Sequence, residues 1–240
     1  ASDVYKRQHF KLGPVKYHNV VASIKGTKYP DEYVIISGHL DSYDVATGGI
    51  DCGTGIGPMM EAARMIALSG AKPKRTILFV AFAGEEFGLL GAKSYVKTHA
   101  KELGKIANLF NRDGGPTPPV GISVPQAMYD DFVEVCKPVK EIRADYPFEV
   151  KVAKPFKRPT QSGGTDASVF AVEGVPTFGF NTQDIKGYNF SYGEIWHTER
   201  DLYTKNIPEY QEHAATVTAV VALGIANLSK QLSREGMHKK

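Results

Sequence analysis

Thr76-Ile77-Leu78-Phe79-Val80-Ala81-Phe82-Ala83, followed at once by Gly84-Glu85-Glu86-Phe87-Gly88, decides how this chain folds. A nearly all-apolar octapeptide is what a strand covered on both faces looks like, and such strands belong to parallel sheets with helices above and below. Working outward, Leu89–Thr98 predicts a helix, and Ile56–Leu68 predicts another. The second carries Ile56, Met59, Met60, Ala63, Ile66 and Ala67 at helical spacing and closes at Gly70. Val20–Lys25 and Tyr33–Gly38 are β-rich runs joined by a loop holding Lys28, Tyr29, Pro30 and Asp31, which predicts a hairpin. Further on come a strand at Ile106–Phe110, a helix at Pro125–Val139, a short helix at Ser168–Val172 and a strand at Thr177–Asn181. Pro208–Leu232 reads as a long amphipathic helix with an N-terminal proline and an acidic first turn.

Strands alternating with helices imply a largely parallel sheet sandwiched between helical layers. In such sheets function sits on the loops leaving the carboxyl ends of strands. The polar clusters obey that rule. His39 and Asp41 follow the strand ending at Gly38, Glu85 and Glu86 follow the one ending at Ala83, and Asp113 follows the one ending near Phe110.

The bulk numbers narrow the function classes. With 240 residues, 42% hydrophobic and 23% charged, the chain suffices for one large domain with a buried core. No apolar run approaches the ~20 residues needed to span a bilayer. A net charge of +3, spread over scattered lysines (Lys72, Lys74, Lys151, Lys154, Lys157) without aromatic platforms, argues against a nucleic-acid partner. Cys52 and Cys136 could form one bridge or stay reduced. Ala1–Gln8 has no apolar h-region and resembles translated sequencing-adapter sequence, so residues 1–8 are read as a foreign leader and 9–240 as a single domain.

The residues also imply a chemistry. A histidine at a strand end with a carboxylate two residues on, as in His39-Leu40-Asp41, can bind a metal through one ring nitrogen. Asp41 can then accept a hydrogen bond from the other nitrogen or hold the local loop. Asp51 lies in the glycine-rich turn Gly48-Gly49-Ile50-Asp51-Cys52-Gly53-Thr54-Gly55, which lacks both the dinucleotide and the P-loop spacing. Glu85 and Glu86 are costly to place side by side after a buried strand unless a cation compensates. One could then hold a metal while the other accepts a proton from water. Asn111-Arg112-Asp113 and Trp196-His197-Thr198 add a third acidic site and a second histidine, either of which alone is as well explained by an ion pair or a structural role. Together, two histidines and three carboxylates suit a pair of zinc ions.

These motifs, with Ser37-Gly38-His39-Leu40-Asp41-Ser42, Phe82–Gly91 and Gly163-Gly164-Thr165-Asp166, resemble the co-catalytic zinc exopeptidases of metallopeptidase family twenty-eight. That family includes secreted bacterial leucyl aminopeptidases and plasma glutamate carboxypeptidase. The resemblance runs from about Asn19 to the C-terminal helix. It implies an α/β three-layer sandwich with a central, mostly parallel mixed sheet flanked by helices. It also implies two Zn2+ ions, a peptide substrate, and a secreted or periplasmic full-length protein. Asp51 would bridge the ions, with His39 and Asp113 on one, Glu86 and His197 on the other, Glu85 as general base and Asp41 as orienting group. Asp166 and Tyr192 are weaker substrate-side candidates, and Tyr188, Tyr192 and Trp196 are all candidate oxyanion donors. Cys52 departs from the family, which commonly has Asp or Asn there. An aminopeptidase is favoured over a carboxypeptidase, for which Arg143, Arg158 or Arg200 would have to meet the substrate carboxylate. The competing readings are a single-zinc glutaminyl cyclase and a non-catalytic ectodomain like transferrin receptor. Retention of all five ligands and Glu85 speaks against the latter.

Overall fold

In the computed structural model, which describes residues 13–239, the apolar run from Thr76 to Phe82 lies in β3 (Arg75–Phe82), buried along almost its whole length. It lies between β1 (Val20–Ile24), antiparallel to it, and β2 (Tyr29–His39), parallel to it. Beyond β2 come β4 (Ile106–Asn111) and β8 (Thr177–Phe178), both parallel, giving the order β1-β3-β2-β4-β8. The expected β1–β2 hairpin does not form. Its loop crosses the start of β3 instead: Gly26 donates its N–H to Thr76 Oγ1 at 2.9 Å, and Thr27 and Tyr29 donate to the carbonyls of Pro73 and Lys74. A Cβ at Gly26 would stand 2.6 Å from the Arg75 backbone, so only glycine permits the crossing.

The period of two along these strands splits the core into two layers. Val34, Ile36, Ile77, Phe79 and Phe110 face one layer, against α1 (Gly53–Leu68), α3 (Tyr129–Ile142) and α5 (Pro208–Ala226). Ile35, Val80, Phe82, Ile106 and Leu109 face the other, against α2 (Leu90–Thr98) and α4 (Ala167–Val172). The result is the three-layer α/β sandwich.

Three further expectations are corrected. The C-terminal helix stops at Ala226, and it is buried on most of its circumference rather than amphipathic, because it packs against α1, α3 and the sheet. The run Thr177–Asn181 is two strands broken at Gly179: β8 joins the main sheet, while β9 (Phe180–Thr182) joins a second sheet of order β6-β5-β9. Its other members, β5 (Pro119–Pro125) and β6 (Glu149–Ala153), escaped the sequence reading because β5 is bounded by prolines and β6 is largely exposed. Pro125 therefore ends a strand, and α3 begins after a 3-10 turn at Gln126–Met128. A small parallel pair, β7 (Phe156–Lys157) with β10 (Met237–Lys239), completes the strands. No helix among the described residues is long and apolar enough to cross a membrane. Residues 1–8 lie outside the described part.

Candidate metal centre

The carboxyl ends of β2, β3 and β4 deliver the expected residues to one place. His39 is the last residue of β2, held there by the Leu40 N–H bonding the Phe82 carbonyl at 2.7 Å. Its Nε2 stands 3.0 Å from Asp51 Oδ1 and 3.3 Å from Asp113 Oδ1. Its Nδ1 lies 3.0 Å from the backbone carbonyl of Asp41. Of the two roles open to the Asp41 carboxylate, the loop-holding one is realised: its oxygens accept the backbone N–H groups of Glu85 and Glu86, each at 3.0 Å, and lie no closer than 3.7 Å to the imidazole. Glu86 Oε2 is 2.9 Å from His197 Nε2. The His197 ring is sandwiched between Tyr43 and Trp196, with centroids 4.1 Å away on either side.

Asp51 is positioned from a distance. The buried Asp201 carboxylate accepts the backbone N–H groups of Ile50 and Asp51 at 2.6 and 3.2 Å. Gly49 allows this approach, since a Cβ there would meet the Leu202–Tyr203 backbone at 2.2 Å. Tyr192 donates its hydroxyl to Asp51 Oδ2 at 2.9 Å, while Tyr188 bonds Glu209 away from the cluster. Cys52 and Cys136 both carry free, buried thiols, and the Cys52 thiol donates to the Arg112 carbonyl at 3.0 Å.

Glu85 and Glu86, with Asp51, Asp113, Tyr192, Trp196 and His197, line a cavity of about 560 Å³. Asp166 does not reach its surface. It is fully buried, next in sequence to the lining residue Thr165, and neither of its carboxylate oxygens finds a hydrogen-bond partner among the described residues. None of Arg143, Arg158 and Arg200 lines the cavity: Arg143 pairs with Asp145, Arg158 bonds the Val172 carbonyl and Arg200 is exposed. The cation that does line it is Lys93, on α2. Sequence reading missed Lys93, because it looks like any solvated helix lysine. Asp201 was missed because a carboxylate holding remote backbone leaves no local pattern.

The electrostatics are those of a site built for positive charge. Burial opposes a charged His39, but the Asp113 and Asp51 carboxylates override it and raise its pKa far above that of free imidazole. Burial, then the charge of Asp113, push Glu85 up to about 8, and burial pushes Asp166 up to about 7. Glu86 is raised by burial and by Asp51. The donor set fits zinc on a simple count. One imidazole nitrogen has one lone pair or one proton, yet two carboxylates converge on His39 Nε2. A cation among the three would satisfy all of them. His39, Asp51 and Glu86 can together offer ligand atoms lying within 4.8 Å of one another.

The comparisons agree with this architecture. Rat (Rattus norvegicus) carboxypeptidase Q is 32% identical over 231 residues, covering 94% of this chain and 46% of that protein. A peptidase M28 precursor from Shewanella amazonensis SB2B superposes with a TM-score of 0.73 at 32% identity, over 90% of this chain and 46% of that one. A zinc aminopeptidase from Bacillus subtilis shares the fold with a TM-score of 0.66 at 21% identity, over 92% of this chain and 53% of that one. The chain thus spans about half the length of the relatives it matches. The profile of Peptidase family M28 matches residues 19–221, most of the sequence, and the chain belongs to that family.

Proposed function

We propose that this chain carries the catalytic machinery of a zinc-dependent exopeptidase that hydrolyses a terminal peptide bond. The observation that carries the reading is the convergence of Asp51 and Asp113 on His39 Nε2, beside the Glu86–His197 pair, on an acid-lined cavity. Two zinc ions would be held here, one by His39 and Asp113, the other by Glu86 and His197, with Asp51 shared. When bound, the metals polarise the substrate carbonyl and acidify a water molecule.

The chain's own residues supply the rest. Asp41 fixes the backbone of the Glu85–Glu86 pair, so that the two carboxylates face different tasks. Glu85 acts as general base: its carboxylate takes a proton from the attacking water and returns it to the leaving amine. Its protonated state in the cation-free site reverts toward the ionised form once positive charge is placed beside it. Tyr192, on the cavity wall with its hydroxyl on Asp51, is the best placed of the three aromatic candidates to steady the oxyanion. Arg143, Arg158 and Arg200 all stay off the lining, which favours aminopeptidase action. A single-zinc glutaminyl cyclase would leave the His39–Asp113 half without a task, so the peptidase reading uses more of the site.

The test is a reconstitution. Zinc-loaded protein should bind two ions per chain and hydrolyse unblocked dipeptides faster than N-blocked ones. Cyclisation of N-terminal glutamine with one ion bound would reverse the reading.

A further inference from the structure

We infer that Lys93 is a specificity-determining residue that binds a carboxylate on the leaving side of the scissile bond. This rests on the peptidase reading of the same cavity. Among the described residues, Lys93 is the one lysine or arginine on a lining otherwise dominated by the carboxylates of Asp51, Glu85, Glu86 and Asp113. It is exposed and forms none of the ion pairs found among the described residues, although four acids share its cavity. Its ammonium is therefore available to a ligand.

Its place in the fold gives the direction. Glu85 must reach the leaving nitrogen to protonate it, so the leaving residue lies on the wall formed by the Glu85 segment and the helix that follows. Lys93 is in the first turn of that helix, its N–H bonded to the Leu89 carbonyl at 2.9 Å. A second groove, of about 310 Å³, opens from the same point. It is shared through Lys93 and Ser162 and continues past Lys97, one helical turn further along α2. A leaving group that carries negative charge thus meets Lys93 on its way from the metal cluster into a groove lined by a second lysine, Lys97, and by one acid, Glu173. Apart from the metals themselves, no other described lysine or arginine on the cavity wall offers that charge a partner.

The carboxylate can come from two sources, the C-terminus of a dipeptide or an acidic side chain on the leaving residue. Four substrates separate them: Leu-Gly, Leu-Gly-amide, Leu-Glu-amide and Leu-Gln-amide, each assayed with the zinc-loaded protein. Wild-type protein should favour the charged member of at least one pair by roughly tenfold in kcat/KM, as expected for a charge-assisted hydrogen bond at a partly solvated site. Preference within the first pair assigns the terminal carboxylate, and preference within the second the side chain. Lys93→Met should bring that ratio close to one, Lys93→Arg should keep it, and Lys93→Glu should invert it. Zinc content should be the same in all four proteins, and added salt should reduce the wild-type ratio. No preference in the wild type, or an undiminished preference in Lys93→Met, would overturn the assignment. Hydrolysis of none of the four by zinc-loaded wild type would instead overturn the peptidase reading, and the role of Lys93 with it.

Discussion

The Asp201 carboxylate holds the backbone of Asp51 across 150 residues of sequence, accepting the Asp51 N–H at 3.2 Å with one oxygen and the Ile50 N–H at 2.6 Å with the other. It is a buried acid with no cationic partner among the described residues, and burial raises its pKa. Its work is to aim the turn that carries Asp51. Asp201→Ala should cost roughly 1–3 kcal/mol of stability, because two buried N–H groups lose their acceptor. It should also weaken zinc binding, because Asp51 is then free to turn. Asp201→Asn, which keeps one acceptor oxygen, should do less of both. Urea unfolding and competitive zinc titration on the two variants check this, and wild-type zinc affinity in Asp201→Ala would refute the positioning role.

Glu85 and Glu86 are adjacent and identical in type, but their surroundings differ. Glu86 faces His197 at 2.9 Å, whereas Glu85 lies against the charges of Asp113 and Asp166. Glu85→Gln should keep both zinc ions and lose roughly 10²–10⁴-fold in kcat, the range for a positioned acid–base group. Glu86→Gln should lose one ion, with activity partly restored by excess zinc. Metal content and kcat measured side by side decide, and the opposite pattern exchanges the two roles.

Asp51 and Asp113 both approach His39 Nε2, at 3.0 and 3.3 Å. Only Asp51 also clusters with Glu86, on the other half of the site. Asp51→Ala should therefore lower zinc stoichiometry by more than Asp113→Ala does. Chelation of the wild type should abolish hydrolysis, and zinc or cobalt should restore it. Elemental analysis showing two tight ions in Asp51→Ala would end the bridging assignment.

The sandwich and the meeting of His39, Asp51, Glu86 and Asp113 on one rim were legible because the signals that specify them are local. Apolar strands such as Thr76–Phe82 announce a doubly covered sheet, and the residues just past their ends are bound to share one rim. What stayed hidden depends on partners far away in sequence. The hairpin reading of β1 and β2 failed because a short loop with turn residues looks the same whether it folds back beside its strand or steps over β3. The second sheet was missed because β6 lacks a buried face to give it a period. Asp166, placed on the substrate side from its motif, is fully buried and off the cavity lining, since no sequence pattern distinguishes a lining acid from a buried neighbour.

The buried acids also set how stability of the metal-free protein depends on pH. Glu85 is pushed up to about 8 and Asp166 to about 7, against ordinary values of 4.5 and 3.8. The folded state therefore retains protons through pH windows of about 4.5 to 8 and 3.8 to 7, where the unfolded chain has released them. Because the folded state binds more protons there, stability is greatest at the acid end and falls as pH rises through each folded pKa. Removing the charge should help only above those windows' lower edges. In the presence of chelator, Glu85→Gln and Asp166→Asn should each melt close to wild type near pH 4 and roughly 2–4 °C or more higher near pH 8, the shift expected for about 1 kcal/mol in a chain of this size. Zinc should reverse the trend for the wild type, since its carboxylate ligands bind metal only when deprotonated and binding adds to folding free energy. Thermal denaturation at pH 4, 6 and 8, with chelator and with excess zinc, tests both halves. A metal-free wild type that gains stability steadily from pH 5 to 8, with neither variant melting above it, would show that these two carboxylates do not carry protons in the folded state.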